Sequence, residues 1–228
     1  IIAYHYSQML RYYGGMPWID HAYTAEDEMK FPRMTLEQTV EKIVDLLDEA
    51  ADTLPWEVDA DNDGHLTKAA AIALKSRVLL FAASPLFNAD EPYLQGDASA
   101  QFITWYGNYS ADRWQKALDA GLQFMRENNG RYKLVNTGNP REDFAAGYFN
   151  RHNGEVLISS RRFTTYMTGK TPFAQIRYGV ASPTLNYIDM FQMNDGTEFD
   201  WNNPDHKKYP FFDKNGKTRR DIRLYETL

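Results

Sequence analysis

The sequence predicts a mainly α protein in which helix hairpins pack with an irregular, loop-rich layer that contains short strands. Apolar side chains recur at helical spacing over long stretches of residues 1–130. Threonine caps precede these stretches, and glycine or proline follows them. From residue 131 onward turn-forming residues replace the periodicity. We therefore expect a helical platform at 1–130 and an irregular segment of the same domain at 131–228.

The first predicted helix covers residues 1–13 and ends at the double glycine Gly14-Gly15. Glycine takes the left-handed conformation at little steric cost, and Pro17 prevents the helix from continuing. Residues 14–34 are expected to be a connecting segment. The expected apolar stripe consists of Ile2, Tyr6, Met9 and Tyr13.

The second and third helices carry clear start signals. Thr35 is placed to cap one helix, with Gln38 at the capping-box position, and Thr67 is placed to cap the next. The apolar face of the second helix comprises Leu36, Val40, Ile43, Val44, Leu47, Ala50 and Ala51. The third has a face of Ala69, Ala70, Ala73, Leu74, Val78, Phe81 and Ala82. Because alanine lets helices approach closely, the third helix should be central, ending at Ser84-Pro85.

A long excursion without periodicity covers residues 86–110, and a fourth helix follows from about Ser110 to Asn128. Its expected inward residues are Trp114, Ala117, Leu118, Gly121, Leu122 and Met125, and Gly130 is the stop. Helix pairs with small and aromatic inward residues are typical of tetratricopeptide-like stacking, in which each pair buries its face against its neighbours.

The second half has fewer regular signals. Residues 153–159 suggest a turn and a short strand. Pro183 to Met193 predicts a short helix capped near Ser182. The remainder is expected to be loop-rich.

Five short motifs occur in order along the chain: Tyr13–Pro17, Arg33–Glu37, Gly64–Ala71, Trp114–Ala117 and Arg220–Leu224. This set resembles the SusD/RagB family of surface lipoproteins, through which Bacteroidota-type bacteria capture glycans. One position departs from the family pattern, since Ile222 stands where proline is usual. The resemblance implies a longer parent protein, of which this chain is an internal fragment.

The same resemblance implies where the protein works and with what partner. SusD-like proteins are held on the external face of the outer membrane by a lipid, whose attachment segment we expect to lie outside this chain. There they cap a SusC-like TonB-dependent transporter and retain oligosaccharides for import. The resemblance also implies a fold with tetratricopeptide-like repeats and ligand contacts on variable loops.

Composition disfavours other ligand classes. The 25 basic and 31 acidic residues give a net charge of −6, whereas nucleic-acid binding relies on concentrated Lys and Arg. No apolar run approaches the roughly 18 residues of a membrane span. With no cysteine, disulfides and cysteine zinc sites are impossible.

Signals for metal binding and catalysis are weak. Asp59 to Gly64 has the opening spacing of a calcium loop, with carboxylates at Asp59, Asp61 and Asp63, but Ala70 replaces the bidentate glutamate. Ordinary turn chemistry explains the same residues, and a weak cation site stays open. The five histidines form no metal-binding pair. No carboxylate pair is singled out for glycoside hydrolysis, so we expect neither catalysis nor a cofactor.

Aromatic residues are the strongest chemical signal, because a sugar ring presents an apolar C–H face that stacks on an aromatic plane. The chain has 15 Tyr, 13 Phe and 5 Trp, many in expected loops. Trp18 and Trp114 are interpreted as packing residues, and Trp56 as a loop staple. The ligand-binding candidates are Trp105, Tyr106, Tyr166, Arg177, Tyr178 and Trp201. Anchoring of loops explains the aromatic candidates at least equally well, and Arg177 could equally make a surface ion pair.

These observations predict a non-catalytic glycan-binding component of an outer-membrane nutrient-uptake system. Two alternatives from other classes remain. One is a helical-repeat adaptor that binds protein partners in a groove, and the other is an α-helical glycan-cleaving enzyme.

Overall fold

The protein is described from a computed structural model, which covers residues 1–19, 21–24, 26, 30–159 and 182–227. These residues are mainly helical, as the sequence predicts. Among them, β pairing is limited to isolated bridges. The chain forms two compact units, unit 1 (Ile1–Tyr132) and unit 2 (Lys133–Leu228). Within the described part of the chain, no helix has both the length and the apolar character of a membrane span.

Unit 1 is built from helices that follow the predicted order. They are α1 (Ile2–Tyr13), α2 (Leu36–Thr53), α3 (Lys68–Ala82), α4 (Asp97–Ala100) and α5 (Asp112–Asn128), with a 3₁₀ turn at Ala60–Asn62. The excursion at 86–110 therefore contains one short helix, α4, and otherwise consists of turns. α1 packs on α2, α2 on α3, and α3 on α5.

The buried face of α1 differs from the expected stripe. Tyr6 is buried and Met9 packs against the core, but Ile2 and Tyr13 are exposed. The face that meets α2 consists of Ala3, Tyr6, Ser7 and Leu10. The predicted stripe was wrong at Ile2 and Tyr13 because it was chosen from the large apolar residues. In the structure the small residues Ala3 and Ser7 allow the close contact with α2.

The double glycine after α1 is where three backbone segments meet. Gly14 has a φ of 72° and its N–H closes the helix on the carbonyl of Leu10. Gly15 donates to the carbonyl of Ile103 at 2.7 Å. A Cβ on Gly15 would overlap the carbonyl oxygen of Met34, and one on Gly14 would overlap that of Ile103. Glycine is therefore required at both positions for steric reasons.

The helix starts predicted from capping residues are confirmed. The hydroxyl of Thr35 accepts from the N–H of Gln38 at 3.2 Å, and the Gln38 side chain accepts from the Thr35 N–H at 3.0 Å. Thr67 accepts from the N–H of Ala70 at 3.2 Å. Each cap satisfies N–H groups that have no partner inside the helix.

α2 and α3 form an antiparallel hairpin. The N–H of Lys68 at the start of α3 donates to the carbonyl of Pro55 just after α2, at 2.8 Å. Lys75 lies later in α3, and it pairs at 2.6 Å with Asp48, which lies earlier in α2. α3 also runs antiparallel to α5, since Lys68 pairs with Glu127 and Ser76 donates to the carbonyl of Ala117. α3 is thus central, as its alanine-rich face predicts.

The inward face of α5 is smaller than expected. Ala117 and Ala120 are buried against α3, and Gly121 lies beside the hydroxyl of Ser76. Four of the residues expected to point inward are instead exposed, namely Trp114, Leu118, Leu122 and Met125. Helices meet most closely through small side chains, so the large residues of α5 are turned away from α3.

Unit 2 contains more helix than the sequence indicated. Its described helices are α6 (Pro140–Phe149), α7 (Leu185–Asp189), α8 (Pro204–Lys208) and α9 (Ile222–Thr227). α7 is capped by Thr184 and not by Ser182. The strand expected at 153–159 is absent there, since these residues form turns and bends. α6 was missed although Asn139 caps it and Pro140 occupies its first turn.

Arg220 is the organising side chain of unit 2. It is 1% exposed, the largest fully buried side chain among the described residues. Its guanidinium donates to the carbonyls of Ile188 and Phe191, and it lies 3.9 Å from the ring centre of Phe199. Burial lowers the pKa of Arg220 below its ordinary value, and the nearby carboxylate of Asp189 opposes that lowering. One buried cation thus holds the end of α7 and the following loop together.

The steric requirement at the double glycine predicts that Gly15→Ala destabilises the protein by about 1–3 kcal/mol, as overpacking does. Gly96→Ala is the matched control, because nothing lies within 4 Å of a Cβ there. Chemical denaturation followed by circular dichroism measures both variants. Equal unfolding midpoints for the Gly15→Ala and Gly96→Ala variants would show that the close backbone contact at Gly15 tolerates a side chain.

The fork of hydrogen bonds at Arg220 predicts that Arg220→Lys destabilises unit 2 by about 2 kcal/mol, since lysine cannot reach both carbonyls from one planar group. Arg223→Lys provides the comparison, because Arg223 is exposed and makes a surface pair with Asp221. The same denaturation experiment measures both. A loss at Arg223 as large as that at Arg220 would contradict the assignment.

Candidate functional site

The predicted ligand-binding residues fall in different parts of the chain. Trp105 and Tyr106 lie in unit 1 and Trp201 lies in unit 2. Tyr166, Arg177 and Tyr178 lie outside the described residues and stay predictions.

The excursion that carries Trp105 and Tyr106 is closed at its base by Asn88. This side chain is buried and bonds both ways with Ser110, accepting from its N–H at 2.7 Å and donating to its carbonyl at 2.9 Å. It also accepts from Arg113 at 2.7 Å. Because these bonds are shielded from water, the ends of the excursion are firmly held.

Trp105 is half-buried and tied to its own loop. Its indole N–H donates to the carbonyl of Ser99 at 2.9 Å, and its ring lies 6.3 Å from that of Phe102. Phe102 is exposed and has a φ of 56°, a conformation uncommon outside glycine. Trp105 therefore anchors the loop, and any ligand would meet only the exposed part of its ring.

Tyr106 is half-buried and packs against the hydrophobic core of unit 1. The guanidinium of Arg113 lies 3.9 Å from its ring centre, so one face of the ring is covered. Burial raises the pKa of Tyr106 to about 12; Arg113 opposes this rise, and the carboxylates of Glu37 and Glu41 add to it. The geometry makes Tyr106 part of a packed wall.

Tyr106 lines a groove of about 480 Å³ between α2 and α5. The α2 wall is acidic, with Glu37, Glu41 and Asp45, and the α5 wall carries Lys116 and Arg126. Among the described residues no ion pair joins these two walls. The groove therefore presents charges of both signs to anything that enters it.

Trp201 is exposed on unit 2, yet its indole N–H is engaged. It donates to Asp189 at 2.9 Å, and the ring meets Phe199 edge-on at 4.8 Å between centres. The other carboxylate oxygen of Asp189 is buried and has no partner among the described residues. The indole thus has a structural hydrogen bond through its N–H, while 38% of the residue remains exposed.

The structure has a second aromatic surface in unit 2, which the sequence did not predict. It is a cleft of about 520 Å³ between α6, α7 and α9, which we call the aromatic cleft. Its lining includes Phe144, Tyr148, Phe149, Tyr187, Met190, Phe191, Gln192, Arg223, Glu226 and Thr227. The cap and proline that begin α6 could have predicted its first wall, but nothing local links α6 to α7 and α9.

The Asp59 loop uses its carboxylate for turn formation. Asp59 accepts from the N–H of Asn62 at 3.0 Å and from its side-chain amide at 2.7 Å. In the part of the chain that the structure describes, no group of three or more potential ligands is arranged to hold a metal ion.

The described fold is one of helical hairpins with aromatic-bearing loops. Residues 1–80 match a SusD-like family described as starch-binding and associating with the outer membrane. Comparison with curated proteins gave no match.

Solved structures define the fold over nearly the whole chain. A SusD-like protein from Bacteroides fragilis NCTC 9343 is 22% identical, with 98% of this chain covered and a TM-score of 0.66. A SusD-like carbohydrate binding protein from the same strain is 18% identical, with 98% covered and a TM-score of 0.67. A SusD superfamily protein from Bacteroides vulgatus ATCC 8482 is 17% identical over 86% of the chain, with a TM-score of 0.53. The chain is therefore SusD-like in fold.

This chain spans less than half of those structures. It covers 40% of the first Bacteroides fragilis protein, 37% of the second and 36% of the Bacteroides vulgatus protein. The activity of those whole proteins is therefore only a proposal for this chain.

The buried position of Tyr106 predicts a pH dependence of stability. The folded protein keeps the Tyr106 proton up to about pH 12, whereas an unfolded tyrosine loses it near pH 10. The folded state then binds more protons above pH 10, so stability present below that pH is lost as pH rises. Tyr106→Phe should show a flatter decline between pH 10 and 12, differing by up to about 2 kcal/mol.

Denaturation of both proteins across this pH range measures the effect, and the difference between them removes the contributions of other tyrosines and lysines. Tyr109→Phe is the control, because Tyr109 is exposed. Parallel curves for wild type and Tyr106→Phe would contradict the raised pKa.

Proposed function

We propose that the protein binds glycans without cleaving them, as a component of an outer-membrane nutrient-uptake system. It would work on the external surface, lipid-anchored, and deliver oligosaccharides to a SusC-like TonB-dependent transporter. The observation that carries this proposal is the match of residues 1–80 to a starch-binding, outer-membrane-associated family. The SusD-like fold of the remaining described residues is consistent with it.

The exposed aromatic residues support the ligand class. Trp201 is partly exposed, and the aromatic cleft is lined by further exposed aromatic residues. Apolar ring faces bordered by polar groups suit sugars, which have C–H faces and hydroxyl edges. Each stack contributes on the order of 1 kcal/mol, so capture would depend on several contacts together.

Three aspartates of unit 2 are poor candidates for the acid of a glycosidase. Hydrogen bonds from Thr197, Lys217 and Arg223 hold the pKa values of their partner aspartates below the ordinary range. These partners are Asp195, Asp213 and Asp221, respectively. A glycosidase acid requires the opposite shift, because it must stay protonated until it donates. These aspartates hold turns instead.

The proposal is tested by incubating the full chain with a panel of polysaccharides and scoring both retention in affinity gels and release of reducing ends. We expect retention without release. Release of reducing ends would favour the glycan-cleaving alternative. Retention of no glycan, together with binding of a protein partner, would favour the adaptor.

Trp201 provides the sharpest single-residue test. Trp201→Ala removes the ring face and should weaken retention about fivefold, the loss of one stack of about 1 kcal/mol. Trp201→Phe keeps a ring but removes the hydrogen bond to Asp189, so it should lower stability by about 1–3 kcal/mol while retaining most of the affinity. Trp105→Ala extends the test to unit 1.

Thermal unfolding of each variant separates the two roles of Trp201. If the alanine and phenylalanine variants lose affinity equally, Trp201 acts as an anchor and not as a stacking platform.

A further inference from the structure

We propose that the aromatic cleft is the saccharide subsite of unit 2 and that it selects uncharged sugars. This inference rests on the proposed function and deepens it, since it assigns both a place and a chemical class of glycan.

The walls of the cleft expose unusually large apolar side chains. Tyr148 and Phe149 at the end of α6 are 76% and 77% exposed, and Met190 after α7 is 77% exposed. Folded chains rarely leave such side chains clustered in water without a binding partner. The volume of about 520 Å³ falls within the range of small-ligand sites.

Two of the exposed rings, those of Tyr148 and Tyr187, each contact another ring of the lining. Phe144 lies 5.2 Å from the ring centre of Tyr148, and Phe191 meets Tyr187 edge-on at 5.4 Å. Phe191 is itself fixed, because its carbonyl accepts from the buried Arg220. Rings that are already oriented lose little conformational freedom when a ligand binds, which favours stacking.

The charged residues at the rim are already neutralised. Arg223 pairs with Asp221 through two bonds, Nε to Oδ1 at 3.0 Å and Nη2 to Oδ2 at 2.6 Å. Glu226 on α9 pairs with Arg141 on α6. Both rim charges thus have an opposite charge within the same unit.

This arrangement decides which sugars fit. A uronate or sulfate gains little charge attraction here, because a carboxylate already balances the charge of each arginine. A neutral sugar needs only hydrogen bonds for its hydroxyls. Arginine has five N–H donors and Asp221 uses two of those on Arg223, and the amide of Gln192 and hydroxyl of Thr227 lie in the same lining.

The groove in unit 1 does not have this character. Its acidic wall of Glu37 and Glu41 and its basic Lys116 are not paired across it. Tyr106, the one aromatic residue among its described lining residues, is covered on one face by Arg113. A neutral saccharide would desolvate these charges without compensation, so the aromatic cleft is the better site.

The test uses the full chain and the double variant Tyr148→Ala/Phe149→Ala. Binding is measured by affinity gels and calorimetry with a neutral α-glucan, β-glucan and mannan, and with polygalacturonate and dextran sulfate. We expect wild type to bind at least one neutral polymer with little dependence on salt. The double variant should bind it at least about tenfold more weakly, since two stacking faces are lost.

The matched control is Tyr12→Ala/Tyr13→Ala. These tyrosines are also adjacent, exposed and at the end of a helix, but they lie in α1 of unit 1. The control should bind the neutral polymer as wild type does. Circular dichroism and thermal unfolding establish that each variant is folded.

A separate variant tests the rim. Glu226→Gln leaves Arg141 without its carboxylate, so it should increase retention of polygalacturonate relative to that of the neutral polymer. Unchanged retention of polygalacturonate would overturn the argument that pairing at the rim excludes acidic sugars.

The outcomes separate this inference from the proposed function. Undiminished neutral binding by the double variant would overturn the cleft assignment and leave glycan binding intact. Preference of wild type for the charged polymers would overturn the selection of uncharged sugars. Binding of no glycan by wild type would overturn both proposals. If the double variant altered only self-association in size-exclusion chromatography, the cleft would be a protein contact, and the assignment would be wrong.

Discussion

The helical stack of unit 1 depends on one close approach of backbone to backbone at Gly14 and Gly15. The carbonyls of Ile103 and Met34 occupy the space that side chains would need. This approach lets the end of α1, the start of α2 and the returning excursion share hydrogen bonds. The N–H of Leu36, for example, donates to the carbonyl of Phe102 at 2.8 Å. A helix start buried at such a junction needs these partners, because its first N–H groups have none within the helix.

In unit 2 the corresponding role belongs to a buried cation. Arg220 satisfies carbonyls at the end of α7 and covers the ring of Phe199, which in turn contacts Trp201. The candidate residue Trp201 is therefore joined to the structural centre of its unit through Phe199 and Asp189. Binding surfaces placed on such supports gain rigidity, which reduces the entropy lost when a ligand is ordered against them.

Periodicity identified most helices of unit 1 and the buried faces of α2 and α3, but it did not identify the buried side of α5. Trp114, Leu118, Leu122 and Met125 recur at helical spacing on α5, yet Ala117 and Ala120 make the contact with α3. Both stripes are apolar, so a pattern of hydrophobicity cannot choose between them. The choice follows from α3, whose own alanines permit close packing only with another small face.

Local chemistry in the sequence determined where α2 and α3 begin, where α1 ends and which family the first part of the chain resembles. Capping by Thr35 and Thr67 and termination at Gly14 act over a few residues, so they can be read without the fold. Only the tertiary structure decided that Arg113 covers Tyr106, that Asp189 engages Trp201, and that α6, α7 and α9 enclose an aromatic cleft. Those facts depend on contacts between different elements of the structure, for which the sequence carries no local signal.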